Sequence, residues 1–493
     1  MIGGEPLTAE DVEQIARAGA PTSLAPEAEQ RLRASQAALV AALARGERIY
    51  GLSTGVGTLE VEDAGEGDER ARQRRLLYSH AAGVGEPMPD DQVRAMMVAR
   101  ASALAVGHSG VRPELVQALL TLLDRGVTPV VPSRGSIGAS DLAPLAHMAL
   151  VLLGEGRARV GGQTLAGGEA LARAGLEPWS LKGREAFALI NGLAQTAGVG
   201  ALVVADASRL LAAAEAAAAL SLVSTGAPRD FLDERVARAK LHPGQAASAA
   251  TLRALLGDGP APTGPLLRAD LSARYAPQVA GAFRTALELA RQAVERELAG
   301  GVDNPMVFAE GWVTSNSGVT SGQEVAQALD LLAASLTSLA VIAERRLAAL
   351  LDPTRSGGLP AFLRHPSAKP GLDSGLMIAQ YTAAALVAEL RQRSHPAGIQ
   401  SIPVCGGRED HASMSALAAR NAAFAVEAAT TVVAIELYAA CQAVDLAGLS
   451  LPPRLAAIHA EVRRAVPVLV EDRLLADDLE AVRRVVASGR AGG

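Results

Sequence analysis

Apolar residues recur every three or four positions over long stretches in the second half of the chain. Between Glu324 and Leu351 they include Leu329, Leu332 and Leu336, which this spacing places on one stripe of a helix. Long helices with few turn residues between them predict a mainly α protein built around a long-helix bundle. Comparable patterns cover residues 191–224, 277–299, 374–393 and 412–446.

The first part of the chain has shorter helical patterns and more loops. Thr8 and Asp11 are spaced as the N-cap and the third residue of a helix. A region rich in glycine and charge, between Tyr50 and Gly85, predicts a mobile loop followed by a helix. We therefore expect an N-terminal loop-and-helix part, residues 1–190, and a part made of the long-helix bundle and the C-terminal helices, residues 191–493. Weak strand patterns that suit a hairpin occur at Arg157–Leu165 and Met306–Val313.

Composition supports a large helical core. Hydrophobic residues make up 49% of the 493 residues and aromatic residues only 3%, so small and aliphatic side chains must fill the core, as close helix packing allows. The most apolar stretch, residues 197–224, contains Asp206, Arg209 and Glu215, which predicts a buried helix rather than a membrane span. The first residues lack the basic and apolar segments of a signal peptide.

Charge and cysteine content exclude several classes of protein. The net charge is -6, and no stripe of Lys and Arg with interleaved aromatic residues indicates a nucleic-acid partner. Two cysteines, Cys405 and Cys441, do not make a disulfide framework, so we expect a cytoplasmic protein. The eight histidines include no pair at the i, i+4 spacing of a helical zinc site, so we expect no metal.

A glycine-punctuated segment from Gly135 to His147 carries the first chemical signal. It predicts a turn, an N-cap at Ser140 or Asp141, and a helix with Pro144 in its first turn. The N-terminus of a helix can stabilise negative charge. By its local pattern alone, the segment is better explained as a well-capped helix than as a catalytic site.

The segment resembles the signature of the histidine, phenylalanine and tyrosine ammonia-lyases. In that family an Ala-Ser-Gly triplet cyclises into a methylidene-imidazolone, an electrophile made from the backbone. The resemblance covers about residues 8–480 and implies the family's long-helix bundle, a homotetramer, and active sites where several subunits meet. The other segments that resemble the family, in the same order, are Tyr50–Gly57, Ser79–Gly83, Asn191–Gly192, Asp303–Pro305, Ser374–Gln380 and Arg408–His411.

Three departures from the family pattern concern the electrophile. This chain has Ala139-Ser140-Asp141, without the glycine. Cyclisation needs the third amide nitrogen to approach the alanine carbonyl closely, which glycine permits because it has no Cβ. Leu271 replaces the tyrosine that lies beside the electrophile, and residues 319–321 (Val-Thr-Ser) replace the family's Asn-Phe-His. We therefore expect no external cofactor and no methylidene-imidazolone.

The resemblance also implies roles for residues that read the substrate. Tyr50 is the base that removes the β-proton; an unperturbed tyrosine has a pKa near 10, so this base needs positive charge or hydrogen bonds nearby. Arg274 grips the substrate carboxylate. His80 and Glu409 bind an imidazole ring through hydrogen bonds. Taken singly, each of these residues also has an ordinary structural explanation, such as a surface ion pair for Arg274.

Two further residues complete the expected site. Asn191 is expected near the amine or the electrophile. Gln380 is expected to contact the residues that bind the substrate rather than the substrate itself. Together with Ala139, Ser140 and Asp141 as the signature triplet, these residues predict a carbon–nitrogen lyase that acts on a small amino acid.

The expected reaction depends on the leaving group. Ammonia leaves poorly without the electrophile, whereas trimethylamine leaves readily, and the family includes such a betaine lyase, ergothionase. We expect elimination of ammonia or trimethylamine from histidine or a histidine betaine to give a urocanate-type product. The alternatives are a histidine ammonia-lyase whose electrophile forms, and an inactive homologue that binds an imidazole metabolite; an aminomutase is more distant.

Overall fold

The fold is mainly α-helical, as predicted. A computed structural model describes residues 1–63, 68–257, 269–369 and 371–492. The first nine helices are α1 (Ala9–Ala18), α2 (Pro26–Ala44), α3 (Glu69–His80), α4 (Asp90–Ala105), α5 (Pro113–Asp124), α6 (Leu142–Leu152), α7 (Gly167–Arg173), α8 (Glu185–Ile190) and α9 (Ala194–Ser224).

The long helices predicted from apolar periodicity are all present, with ends within three residues of the expected ones. The remaining helices are α10 (Glu234–Lys240), α11 (Pro243–Leu256), α12 (Leu271–Arg274), α13 (Ala276–Ala299), α14 (Gln323–Leu351), α15 (Met377–Arg393), α16 (Ser415–Ala447), α17 (Pro453–Ala465) and α18 (Leu475–Ala487). The strands are β1 (Val84–Pro87), β2 (Thr128–Pro129), β3 (Pro132–Arg134), β4 (Arg157–Val160) and β5 (Gln163–Ala166).

The chain divides into two compact units, each made of separate stretches of sequence. The sequence-based division instead placed one boundary after residue 190. The first unit contains Met1–Ala205, Ala290–Asp330 and Pro396–Arg420, and the second contains Asp206–Leu289, Leu331–His395 and Asn421–Gly493.

Helix α4 forms the centre of the first unit. Nearly all of its residues from Val93 to Ala105 are buried, and it packs against α1, α2 and α5. The start of α1 has the predicted capping box, because the Asp11 amide donates to Thr8 Oγ1 (3.1 Å) and the Thr8 amide donates to Asp11 Oδ2 (2.9 Å). The predicted cap of α1 is therefore confirmed, whereas the burial of α4 on all sides was not predicted from the sequence.

The strands form two small antiparallel sheets in the first unit. β1 pairs with β3, and β4 lies between β2 and β5. The hairpin expected within Arg157–Leu165 is present: β4 and β5 pair from Arg157–Ala166 to Val160–Gln163, across a Gly161-Gly162 turn with positive φ at both residues, as a tight hairpin requires. The second pattern, Met306–Val313, forms a short hairpin around a bridge between Val307 and Val313, in which the Phe308 amide donates to the Trp312 carbonyl and the Thr314 amide to the Met306 carbonyl.

A buried polar cluster in the second unit joins the parts of three long helices that lie there. Glu436 on α16 accepts two hydrogen bonds from Arg346 on α14, at 2.6 and 2.8 Å, and a third from Ser221 on α9 at 2.9 Å. Glu436 and Arg346 are both buried. Because each charge has partners, the cluster avoids the cost of an unpaired charge in an apolar core.

Three helical segments are long and apolar enough to cross a membrane, by length and composition alone: Glu185–Ser224, Gln323–Leu351 and Ser415–Ala447. The most apolar windows of these segments are respectively 100%, 56% and 83% buried within the protein. The prediction that residues 197–224 form a buried helix is therefore confirmed. Part of the apolar surface of α14 remains exposed, for example at Leu331.

Candidate active site

A cavity of about 640 Å³ in the first unit brings together six of the residues predicted for the site. They come from loops and helix ends that are far apart in sequence, so only the fold makes them neighbours. The six residues are Tyr50, His80, Ala139, Ser140, Asn191 and Glu409.

Tyr50 lies on the predicted loop and is fixed by two contacts. The Gly57 amide donates a hydrogen bond to the Tyr50 hydroxyl at 2.6 Å, and the ring packs edge-on against Phe187 with centroids 5.6 Å apart. Burial raises the pKa of Tyr50, the carboxylates of Glu409 and Glu60 raise it further, and the Gly57 hydrogen bond opposes the shift. In this arrangement Tyr50 therefore keeps its proton at neutral pH.

His80 and Glu409 present hydrogen-bond acceptors to the cavity. His80 is the last residue of α3, and its Nδ1 lies 2.8 Å from the Leu76 carbonyl oxygen. A carbonyl only accepts, so the neutral ring carries its proton on Nδ1 and leaves Nε2 as an acceptor. The Glu409 backbone pairs with Val404, and no hydrogen bond to its carboxylate occurs among the described residues. Two acceptors suit a ligand ring that carries N–H groups.

Ser140 and Asn191 belong to a buried chain of hydrogen bonds. The Ser140 hydroxyl donates to Asn191 Oδ1 at 2.6 Å, and Asn191 Nδ2 donates to Asp303 Oδ1 at 2.8 Å. Arg184 donates to both oxygens of Asp303, at 2.8 and 2.9 Å. Since Arg184 and Asp303 are almost completely buried, this ion pair fixes the Asn191 amide in one orientation.

The signature loop is held by two other segments of the first unit. The Ser140 amide donates to the Thr320 carbonyl at 3.0 Å, and the Gly138 carbonyl accepts from Ser413 Oγ at 2.6 Å. A Cβ on Gly138 would lie 2.4 Å from that same Ser413 oxygen, so glycine is required there for the close approach. The loop is therefore tightly packed on several sides.

Asp141 occupies the N-cap position of α6 but does not cap that helix with its side chain. Its carboxylate instead accepts from the Thr196 amide at 2.9 Å and from Ser136 Oγ at 2.6 Å. Thr196 lies in the first turn of α9, whose N-terminal amides need acceptors. The predicted capping role is thus corrected: Asp141 caps α9, and burial raises the pKa of its carboxyl.

The triplet does not fit cyclisation into a methylidene-imidazolone. The amide that would have to attack the Ala139 carbonyl belongs to Asp141, and it donates a 2.7 Å hydrogen bond to the Gly192 carbonyl. The Ser140 hydroxyl, which would have to leave, is held by Asn191.

Three predicted site residues do not line the cavity. Asp141 lies behind it, with no exposed surface. Arg274 belongs to the second unit, where its Nε donates to the Ala269 carbonyl at 3.0 Å. Gln380 also belongs to the second unit and donates to Glu344 at 3.2 Å. Their predicted roles toward a substrate stay predictions.

The cavity also contains polar residues that the sequence reasoning did not assign. Arg408 pairs with Glu60 at the cavity, and the Cys405 thiol would lie 2.7 Å from a Cβ on Gly57. Arg408 adjoins Glu409 within a segment already noted, and Glu60 lies on the predicted loop three residues after Gly57, so both positions carried a usable signal. Asn304, Asn316 and Thr320 complete the polar lining. Among the described residues, no group of three or more His, Cys, Asp or Glu side chains is placed to hold a metal ion.

Comparison with known proteins decides the family. Residues 7–464 match the family described as aromatic amino acid lyase. A histidine ammonia-lyase from Sorangium cellulosum is 45% identical over 99% of this chain and 97% of its own length.

The chain belongs to the aromatic amino acid lyase family. This membership confirms the resemblance to the ammonia-lyases and the predicted enzyme class, a carbon–nitrogen lyase.

Two solved structures show how far the fold of this family is shared. Tyrosine aminomutase from Streptomyces globisporus is 36% identical, with a TM-score of 0.93 over 99% of this chain and 96% of the other. Ergothionase from Treponema denticola, solved with desmethyl-ergothioneine sulfonic acid, is 27% identical, with a TM-score of 0.90 over 99% of each chain. The predicted fold class is thereby confirmed as that of the aromatic amino acid lyases.

Proposed function

We propose that this aromatic amino acid lyase eliminates the amine from an imidazole-bearing amino acid, with histidine converted to urocanate and ammonia as the first candidate. The observation that carries the proposal is the placement of His80 and Glu409 as paired acceptors in one cavity with Tyr50. The 45% identity with a histidine ammonia-lyase over nearly the whole chain supports the same ring.

The arrangement assigns each residue a task. His80 Nε2 and the Glu409 carboxylate accept hydrogen bonds from the ring. Tyr50 removes the β-proton, and for this its pKa must fall from the raised value of this arrangement, as the positive charge of a substrate ammonium or of a neighbouring cation entering the cavity would cause. Arg274 binds the substrate carboxylate, which requires that another copy of the chain supplies it.

The substrate assignment is tested with the purified protein. Histidine, tyrosine and phenylalanine are supplied separately, and the conjugated acrylate product is followed by its near-ultraviolet absorbance. Histidine alone should react. Glu409→Gln should raise KM more strongly than Glu234→Gln, a matched change at an exposed position. Turnover of tyrosine in preference to histidine would contradict the proposal.

A second candidate is elimination of trimethylamine from a histidine betaine. The observation that favours it is the misfit of Ala139-Ser140-Asp141 to the family's electrophile. A trimethylammonium group leaves without that help, whereas ammonia leaves poorly. Trimethylamine released from the betaine, measured beside ammonia released from histidine in the same assay, decides between the two leaving groups.

We also propose that the protein acts as a cytoplasmic homotetramer. The exposed apolar part of α14 supports a subunit interface, and the position of Arg274 outside the cavity supports an active site completed by another chain. Light scattering after gel filtration should give four chains per particle. A monomer with full activity would contradict both points.

A further inference from the structure

We propose that Ala139, Ser140 and Asp141 remain uncyclised in the mature protein, and that the Ser140 hydroxyl persists as a hydrogen-bonding group of the cavity. The inference concerns the chain's own covalent structure. The mass of the native chain therefore tests it whichever amino acid is the substrate.

The first step of the argument is the position of the attacking nitrogen. Cyclisation would join the Asp141 amide nitrogen to the Ala139 carbonyl carbon, with loss of one water. That amide points instead to the Gly192 carbonyl, at 2.7 Å. Ala139 is itself paired with Ser321 in an isolated antiparallel bridge. The attacking amide is therefore engaged elsewhere, and hydrogen bonds hold the backbone on both sides of Ala139: the Ser140 amide donates to the Thr320 carbonyl, and the Gly138 carbonyl accepts from the Gly322 amide.

The second step is the anchoring of the Asp141 side chain. Its carboxylate is fully buried and caps α9 through Thr196, while Ser136 donates to it from the other side. Turning the Asp141 amide toward Ala139 would pull the carboxylate out of these bonds and leave it buried without partners. In the family's Ala-Ser-Gly-Asp order, the extra glycine supplies the nitrogen while the aspartate keeps its place. One residue adds about 3.5 Å of chain, and this chain lacks that length.

The third step concerns Ser140, which would have to lose its hydroxyl in a second dehydration. Its backbone has φ +64, an uncommon conformation for a residue with a side chain, and the contacts to Thr320 and Asn191 hold it there. The hydroxyl donates its only hydrogen to Asn191. Toward a ligand in the cavity, Ser140 can therefore only accept a hydrogen bond, for example from a substrate ammonium.

A peptide mass measurement tests the covalent state directly. Trypsin cleaves after Arg134 and Arg157, with no Lys or Arg between them, so one peptide of residues 135–157 contains the whole triplet. In the native chain this peptide should have its full unmodified mass. A peptide lighter by two waters, together with a new ultraviolet band in the folded protein, would overturn the proposal.

Insertion of one glycine between Ser140 and Asp141 tests the cause. The insertion restores the family order and frees a nitrogen without moving Asp141 from α9, so the same peptide should lose two waters. The matched control combines the insertion with Ser140→Ala, which has no hydroxyl to eliminate and should not show the two-water loss. An inserted chain that folds, by its helical circular dichroism, but stays uncyclised would contradict the explanation from loop length. If the insertion prevents folding, the native peptide still decides the covalent state.

The outcomes separate this inference from the proposed function. An uncyclised native chain that converts no imidazole amino acid supports the inference and removes the function. A cyclised native chain that forms urocanate does the reverse.

Discussion

The buried ion pair of Arg184 and Asp303 stabilises the fold and also orients Asn191 in the cavity. Breaking it should therefore lower both the free energy of unfolding and the activity. Asp303 has no exposed surface and accepts four hydrogen bonds of 2.8 to 2.9 Å: two from Arg184, one from the Asn191 side chain and one from the Asn304 amide. Asp303→Asn keeps the shape but removes the negative charge. It also turns an N–H₂ group toward groups that donate.

The expected cost follows from leaving the Arg184 charge buried without its partner. Breaking a buried ion pair from one side typically costs about 3–5 kcal/mol, a large part of the roughly 5–15 kcal/mol by which proteins are stable. Urea unfolding followed by circular dichroism should therefore show a much lower midpoint for Asp303→Asn. Asn191 should also lose its orientation, so turnover should fall even where the variant is folded.

The matched control is Asp233→Asn, which changes the same group in an exposed ion pair with Arg235. Asp233 caps α10, and asparagine caps equally well, so the midpoint should not move measurably. A destabilisation of less than about 1 kcal/mol for Asp303→Asn would refute the reasoning, because an unpaired buried charge lowers the free energy of unfolding by more than that.

Three further predictions follow from the same contacts. Ser140→Ala should lower kcat/KM by only about fivefold, since one hydrogen bond of about 1 kcal/mol is lost; abolished activity would point to a dehydrated Ser140. Burial, with Asp141 and Glu324 nearby, raises the pKa of Glu297 from 4.5 to about 7, so the folded chain holds an extra proton between these values and loses stability as pH rises through them. Glu297→Gln should therefore be more stable than the native chain by up to roughly 3 kcal/mol at pH 8, a difference that disappears near pH 5 in denaturant titrations; an advantage independent of pH would contradict the assignment. Because the pKa of Tyr50 is raised, kcat/KM should increase about tenfold per pH unit from pH 7 to 9. Tyr50→Phe should have no measurable turnover. A kcat/KM that does not change with pH would contradict the assignment of Tyr50 as the base.

Local features of this fold were predictable because they depend on residues within a few positions of each other. The long helices follow from apolar periodicity, the start of α1 from the Thr8 and Asp11 box, and the β4–β5 hairpin from the strand pattern at Arg157–Leu165. The ordered family segments likewise placed Tyr50, His80, Asn191 and Glu409 in one site, and the structure brings these four residues to one cavity.

The sequence by itself thus determined the helices, the family and the absence of a glycine from the signature. Only the tertiary structure decided where the signature's groups are bonded: Asp141 caps a helix 55 residues away, and Arg184 meets Asp303 across 119 residues. The physical reason is that a buried polar group must find a partner, and any distant segment can supply one. No local sequence pattern indicates which distant segment the fold will bring next to a given buried polar group.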